Sequence, residues 1–205
     1  MSNSIYLNSR VAIDVVIFTI LEEKPQVLLL KRHKEPFQGK LELPGGLLIE
    51  NETAEQTLQR KLGEITNTNN THFNQFHTFT NPVRDPRGRT ISIGFLALVN
   101  SEKMSSDCDW HDVNNLPELA FDHAEIIQSA SKYLKENLNL QFLKSYMPIY
   151  FPLNSLQTVY EVIHNEKYDN RNFRKQQLAS ENIVETDKLE KDVKHRPAKL
   201  YRFKE

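Results

Sequence analysis

The sequence predicts an α+β protein of two domains, residues 1–146 and residues 147–205. Runs of β-branched and aliphatic residues at Val11–Ile20 and Val27–Leu30 are typical of buried strands. Apolar residues recur at helical spacing within Thr53–Ile65, which predicts an amphipathic helix. Beyond Met147–Pro152, where two prolines bracket a short aromatic stretch, the pattern changes to two helices followed by two short strands. That change of pattern marks the predicted domain boundary.

The first domain is predicted to alternate strands and helices. Turn-forming residues at Glu22–Pro25 separate the first two strands, and Leu43–Gly46 is a sharp break before the first helix. The apolar stripe of that helix consists of Ala54, Leu58, Leu62 and Ile65. A proline- and arginine-rich loop then leads into a strand at Ile91–Val99. A second helix is expected from about Asp122 to Asn137, with Asp122 as its N-cap.

The second domain is predicted to be a winged helix. One amphipathic helix carries the apolar residues Leu153, Leu156, Val159, Tyr160 and Ile163. Asp169 is expected to cap a second helix that runs to about Ala179, and strands at Ile183–Glu185 and Leu200–Phe203 enclose a basic loop. Two helices followed by a β-ribbon is the layout of a winged helix. In its second helix, Phe173 and Leu178 are expected to face the core.

Composition favours a folded protein that acts in the cytoplasm. Hydrophobic residues make up 39% and charged residues 26% of the chain. No apolar run reaches the roughly 18 residues that a membrane span needs, and the first residues do not resemble a secretory signal. Cys108 is the only cysteine, which excludes an intrachain disulfide framework and a multi-cysteine zinc site. Residues 144–205 carry 12 Lys and Arg against 9 Asp and Glu, in a chain of net charge −1. This positive segment suggests a polyanionic partner.

The segment Gly46–Ile65 resembles the Nudix box, which holds the catalytic metal in Nudix hydrolases. Gly46, Glu52 and Arg60 stand at the spacing of that motif. Lys61 and Ile65 replace two of its three metal-binding glutamates and only Glu64 remains, while Asn67 replaces the closing glycine. Nudix enzymes use divalent metal both to hold phosphate oxygens and to activate water. We therefore expect a site that binds but does not cleave, with no catalytic residue, no metal and no cofactor.

Other features suit the same interpretation. Lys61 can neutralise a phosphate as a point charge, and the loop Asp85–Arg89 resembles a motif of ADP-ribose-handling relatives. Glu52 and Arg60 are expected to form a structural ion pair. The residues predicted to bind an effector are Arg32, Gly46, Lys61, Glu64, Arg84, Arg87 and Arg89.

Further segments resemble the NrtR-type Nudix-related transcriptional regulators. They are Leu116–His123, Leu156–Glu161, Asp169–Lys175 and His195–Phe203. The resemblance extends from about Val11 to Phe203. It implies a Nudix-like α/β/α sandwich with a mixed sheet, followed by a winged helix-turn-helix domain. It also implies a homodimeric regulator, a repressor of genes of NAD metabolism, that senses ADP-ribose or a similar nucleotide.

The predicted partner is a palindromic operator in double-stranded DNA, because symmetric dimers bind symmetric sites. The residues predicted to contact it are Arg171, Asn172, Arg174, Lys175, Lys191, Lys194, His195 and Arg196. Three alternatives stay open. The chain could be a hydrolase of ADP-ribose-like compounds, a regulator of the same architecture that responds to a sugar metabolite, or an adaptor that binds RNA or protein.

Overall fold

A mixed seven-stranded sheet forms the first half of the molecule. The computed structural model describes residues 8–63, 65, 71–104, 108–191 and 196–204. The strands are β1 (Arg10–Leu21), β2 (Lys24–Lys31), β3 (Leu41–Glu42), β4 (Gly45–Leu47), β5 (Asn74–Phe79), β6 (Thr90–Leu98) and β7 (Asp109–Asp112). Their main order is β3-β2-β1-β6-β5, with β4 paired to β1 and β7 paired to β2. Only the β1–β6 pair is parallel among the described strand pairs of this sheet.

Helices cover both faces of the sheet. Along β1, Ile13, Val15 and Ile17 pack on one face with helix α1 (Ala54–Gly63). Val16 and Phe18 pack on the other face with α2 (His123–Asn137) and α3 (Leu140–Tyr146). A strand buried on both faces is apolar throughout rather than alternating, which is why β1 is a continuous aliphatic run. The predicted α/β/α sandwich with a mixed sheet is confirmed.

The ends of α1 and α2 use their capping residues differently. Thr53 and Gln56 form a reciprocal capping box at the start of α1, with each side chain accepting a hydrogen bond from the backbone N–H of the other residue. Asp122 stands at the predicted N-cap of α2, but its carboxylate makes no capping hydrogen bond. That carboxylate instead accepts hydrogen bonds from Arg84. The position of the cap was predictable, whereas the partner of its side chain was not.

The C-terminal part of the described chain, from Phe151 to Phe203, is a winged helix, as predicted. It comprises β8 (Phe151–Pro152), α4 (Leu153–His164), α5 (Asn170–Ala179), β9 (Ile183–Leu189) and β10 (Lys199–Phe203). The three strands lie in the order β8-β10-β9. Asp169 caps α5 as predicted, because its Oδ1 accepts a hydrogen bond of 2.9 Å from the N–H of Asn172.

The prediction for Leu178 was wrong. Phe173 is buried at 3% exposure, but Leu178 is 41% exposed. Each residue advances about 100° around an α-helix, so five positions place Leu178 roughly 140° away from Phe173. Gln177 lies only four positions from Phe173 and is half-buried. The core-facing stripe of α5 therefore continues through Gln177 rather than Leu178.

One hydrophobic cluster runs through both halves of the molecule. It joins Ile126 of α2 and Phe142 of α3 to Leu156, Phe173 and Tyr201 of the winged helix. The division at residue 147 therefore stays a prediction. Among the helices of the described residues, none is both long and apolar enough to cross a bilayer.

Candidate effector cavity and DNA-binding surface

A cavity of about 490 Å³ opens between β1, the end of β2, the C-terminal end of α1, the loop before β6 and the start of α2. Its described lining is strongly cationic. The basic residues are Lys31, Arg32, Lys34, Arg60, Lys61, Arg84 and Arg87, and the acidic residues are Asp14, Glu42 and Asp85. Glu52 and Asp122, the ion-pair partners of Arg60 and Arg84, bring the carboxylates to five, and the net positive charge that remains favours an anionic ligand.

Arg84 is the centre of a buried polar network in the wall of this cavity. Its side chain is only 5% exposed. Its Nε and Nη2 donate to the two carboxylate oxygens of Asp122 at 2.8 and 2.7 Å, and Nη2 also donates to Asp14 at 2.9 Å. Ser92 donates a further hydrogen bond of 2.6 Å to Asp14. These partners fix the loop before β6 against β1 and α2.

His123 completes the network. Its Nδ1 accepts a hydrogen bond of 2.8 Å from the N–H of Leu43, so the ring proton of the neutral imidazole must sit on Nε2. Nε2 lies 3.4 Å from Oδ1 of Asp14. Burial opposes the charge on Asp14, but His123, Arg84 and Ser92 outweigh it and lower the pKa of Asp14 to about 2. Asp14 therefore stays ionised across the physiological range.

Arg87 is held in a second, more exposed ion pair. Its Nε and Nη2 donate to the carboxylate of Asp85 at 3.0 and 2.9 Å, and its side chain is 40% exposed. Thr90 also donates to Asp85 at 3.2 Å. Burial of Asp85 raises its pKa, but hydrogen bonds from Arg87 and Thr90 lower the pKa to about 2 overall. A bidentate pair of this kind keeps the guanidinium plane in one orientation.

Arg32 is tied to the loop that follows β2. Its Nη1 donates to Glu42 at 2.6 Å, and its other nitrogens donate to the backbone carbonyls of Glu35 and Pro36. The guanidinium carbons of Arg32 and Arg87 lie 4.8 and 5.3 Å from the ring centroid of Phe121. Phe121 thus contacts two of the predicted effector residues.

Five described residues of the degraded Nudix box line the cavity, namely Gly46, Leu47, Arg60, Lys61 and Ile65. A Cβ atom on Gly46 would lie 2.8 Å from Cε of Lys61, so the Lys61 side chain crosses close over the Gly46 backbone. Arg60 donates to both carboxylate oxygens of Glu52 at 2.8 Å, which confirms the predicted ion pair. The pKa of Glu52 is lowered, mainly by Arg60.

The side chains at the two changed positions of the box do not suit a divalent cation. Hard cations such as Mg²⁺ require several oxygen ligands, whereas Lys61 brings an ammonium group and Ile65 brings no ligand. The described part of the chain holds no group of three or more His, Cys, Asp or Glu side chains that could bind a metal ion.

The structure brings most of the predicted effector residues together. Arg32, Gly46, Lys61, Arg84 and Arg87 all line the one cavity. Arg89 is half-buried and does not belong to that lining. Its carbonyl accepts a hydrogen bond of 3.0 Å from the backbone N–H of Arg10. Glu64 lies outside the described residues. A ligand role for each of these residues stays a prediction.

The sequence prediction missed Asp14, Phe121 and His123. A signal for Asp14 was present, since an acidic residue inside a buried aliphatic strand requires a partner. Phe121 and His123 lie in the segment Leu116–His123, but nothing in the sequence showed which side chains of that segment enter the cavity.

The predicted recognition helix presents a basic outer face. Arg171, Asn172, Arg174 and Lys175 of α5 are all exposed. Arg171 and Lys175 lie opposite the buried Phe173, by the same 100° advance per residue. They are the side chains of this set that point most directly away from the core.

Arg174 lies at the edge of the outer face of α5. Its Nη2 donates a hydrogen bond of 2.6 Å to the hydroxyl of Tyr201 in β10, and that hydroxyl donates to Glu185 in β9 at 3.2 Å. The side chain therefore links α5 to the β-ribbon. Lys191 and Arg196 are exposed next to the ribbon, while Lys194 and His195 lie outside the described residues. DNA contacts by these residues remain predictions.

Comparison with known proteins agrees with both halves of this description. A family model for the NUDIX domain matches residues 10–130, and a model for the NrtR DNA-binding winged helix domain matches residues 145–203. The chain is 31% identical to the ADPR responsive transcriptional repressor NtrR of Acinetobacter baylyi, over 97% of this chain and 83% of that protein. It is 37% identical to the ADP-ribose pyrophosphatase of Methanocaldococcus jannaschii, over 63% of this chain and 77% of that enzyme.

A solved structure matches both domains together. The crystal structure of Shewanella oneidensis NrtR complexed with a 27mer DNA is similar with a TM-score of 0.82 and 30% identity. The match covers 95% of this chain and 93% of that one. The resemblance noted in the sequence is thereby confirmed. The chain belongs to the NrtR family, in which a NUDIX domain is followed by a DNA-binding winged helix.

Proposed function

We propose that this chain is a transcriptional repressor that binds an operator through its winged helix and senses ADP-ribose, or a similar nucleotide, in its NUDIX cavity. The observation that carries the proposal is the presence, in one chain, of a cationic ligand-sized cavity and an exposed basic helix α5. The Acinetobacter relative is named as responsive to ADPR, and the Shewanella relative was crystallised with DNA. Both descriptions suit the two surfaces found here.

The cavity is proposed to bind its ligand without cleaving it. A Nudix hydrolase needs its clustered carboxylates to hold divalent metal against the diphosphate. Lys61 instead places a positive charge close to Gly46, where it can neutralise a phosphate directly. The ligand then stays intact and acts as a signal.

A repressor of this kind is proposed to act as a homodimer on a palindromic operator, in the cytoplasm. The effector alters DNA affinity only by binding the DNA-competent and DNA-incompetent arrangements with different affinities. Genes of NAD metabolism are the proposed targets, following the family resemblance.

The proposal is tested by gel shifts on the DNA upstream of the gene, with and without ADP-ribose, together with calorimetric binding of ADP-ribose. Arg171→Ala is expected to weaken DNA binding while ADP-ribose binding is retained. Arg87→Ala is expected to weaken ADP-ribose binding while DNA binding is retained. The matched control is Lys132→Ala, an exposed cation of α2 that lies in neither surface, and it should change neither measurement.

The three alternative functions are distinguished by a hydrolysis assay and by gel shifts at several salt concentrations and with other ligands. ADP-ribose hydrolysis with Mg²⁺, at a turnover like that of the Methanocaldococcus pyrophosphatase measured alongside, would overturn the repressor proposal in favour of an enzyme. A gel shift that depends only weakly on salt and shows no preferred duplex would favour an RNA- or protein-binding adaptor. A response to sugar phosphates but not to ADP-ribose would assign the regulator a sugar-metabolite effector.

A further inference from the structure

Phe121 has an unusual backbone conformation for a bulky residue. Its φ angle is 52°, in the left-handed region that residues with a Cβ rarely adopt. Hydrogen bonds to other segments hold the residues on either side of it in place. Ala120 donates a backbone hydrogen bond of 2.8 Å to Leu41, and Asp122 accepts two hydrogen bonds from Arg84. Conformations of this kind persist where the surrounding structure holds them, and they concentrate at binding sites.

The ring of Phe121 contacts guanidinium groups from two separate segments. Arg32 follows β2, whereas Arg87 belongs to the loop before β6. Both guanidinium carbons lie within the ~6 Å of a ring centroid at which cations and aromatic faces attract each other. Phe37 adds an edge contact at 5.0 Å between ring centroids. Phe37 and Arg32 belong to the same loop, so Phe121 contacts both the loop after β2 and the loop before β6.

The two arginines are also fixed by hydrogen bonds at their edges. Glu42 and two backbone carbonyls hold Arg32, and Asp85 holds Arg87. These acceptors fix where each guanidinium lies, and the Phe121 ring restrains its plane from the face. Side chains that are ordered before a ligand arrives lose less conformational freedom when it binds.

We infer that Phe121 is a positioning residue that aligns Arg32 and Arg87 for the diphosphate group of the nucleotide. The ring acts through the two guanidinium groups and does not itself recognise the ligand. The inference rests on the proposed function, because it assumes that the cavity binds a diphosphate. It assigns a role to a residue that carries no charge and that the sequence did not single out.

The test compares calorimetric affinities for ADP-ribose and for inorganic pyrophosphate in the full-length protein. Phe121→Asn removes the ring while keeping a residue that tolerates a positive φ angle. It is expected to weaken binding of both ligands about tenfold, because the two arginine side chains would then be ordered only when the ligand binds. Phe121→Tyr keeps the aromatic face and should restore wild-type affinity. The control is Phe76→Leu, a half-buried aromatic residue outside the cavity.

A merely structural role is separated by a double-mutant cycle with Arg87→Ala. If Phe121 works through the arginines, the loss caused by Phe121→Asn shrinks in the Arg87→Ala background; equal losses in both backgrounds would overturn the inference. Weaker binding of ADP-ribose with unchanged binding of pyrophosphate would also overturn it, since the ring would then contact the nucleoside. If the wild type binds pyrophosphate but not ADP-ribose, the proposed effector is wrong while Phe121 is still tested. Binding of neither ligand overturns both.

Discussion

Replacing Arg84 with Gln should destabilise this protein far more than replacing Arg87 with Gln, although the two residues lie in the same loop. The Arg84 side chain is 5% exposed and compensates Asp14 and Asp122, whose side chains are 10% and 14% exposed. A neutral side chain at this position would leave two poorly hydrated carboxylates without a cation. Removing one partner of a buried ion pair typically costs about 3–5 kcal/mol. For a chain of this size, that corresponds to a fall in Tm of roughly 10 °C.

Arg87→Gln provides the matched control. The Arg87 side chain is 40% exposed, which weakens its ion pair through water, whereas its partner Asp85 is only 3% exposed. When Arg87 is replaced, Asp85 keeps Arg10 at 3.4 Å and a hydrogen bond from Thr90, so it is not left without compensation. The free energy of unfolding should therefore fall by about 1–2 kcal/mol in Arg87→Gln, well below the loss in Arg84→Gln. Both variants are measured by thermal and urea unfolding followed by circular dichroism.

The pH dependence of the stability provides a second, independent test of this prediction. In the wild type the pKa of Asp14 falls from 3.8 to about 2, so its ionisation stabilises the folded state above pH 4, and this contribution is lost as the pH falls from about 4 to about 2. The shift corresponds to about 2 kcal/mol. Without Arg84, the pKa of Asp14 should rise above its wild-type value, because only His123 and Ser92 then oppose the effect of burial, and protonation at low pH relieves the unpaired charge. The difference in Tm between wild type and Arg84→Gln should therefore narrow from pH 7 to pH 3. A Tm of Arg84→Gln within about 2 °C of the wild type at pH 7, or the same difference at both pH values, would refute the reasoning.

Three further results are expected. The double variant Lys61→Glu and Ile65→Glu should gain Mg²⁺-dependent hydrolysis of ADP-ribose, by at least about tenfold over the wild-type background. The products AMP and ribose 5-phosphate are measured by chromatography. No gain would show that the absence of hydrolysis does not result from the missing carboxylates. Tyr201→Phe should lower the free energy of unfolding by about 1–2 kcal/mol, because α5 loses its charged hydrogen bond to the ribbon, and gel shifts should show weaker DNA binding; unchanged values in both assays would argue against this link. Leu178→Ala should change the free energy of unfolding by less than about 0.5 kcal/mol, whereas Phe173→Ala should lower it by about 3–5 kcal/mol; urea unfolding of both variants checks which side of α5 is buried.

Local patterns predicted much of the fold. The strand β1, the amphipathic helix α1, the Asp169 cap of α5 and the winged-helix layout were predicted from spacing within a few residues along the chain, whereas the capping box of α1 was not. The polar strand β5 (Asn74–Phe79) was missed, because it owes its structure to pairing with β6 rather than to its own apolar pattern. The short helix α3 was missed as well. Its buried residues Phe142 and Leu143 belong to a cluster assembled from distant elements.

The sequence by itself determined the family, the loss of metal-binding carboxylates at Lys61 and Ile65, and the basic character of α5, since each is a matter of residue type at fixed spacing. Only the tertiary structure decided how the charges are used. Arg84 and Arg87 are three residues apart in one loop, yet one is buried against Asp14 and Asp122 and the other lies half-exposed over Phe121. Burial and pairing depend on which distant elements pack against that loop, and these are brought together by the sheet and by α2. The spacing of residues along the sequence predicts neither the burial of a side chain nor its partner.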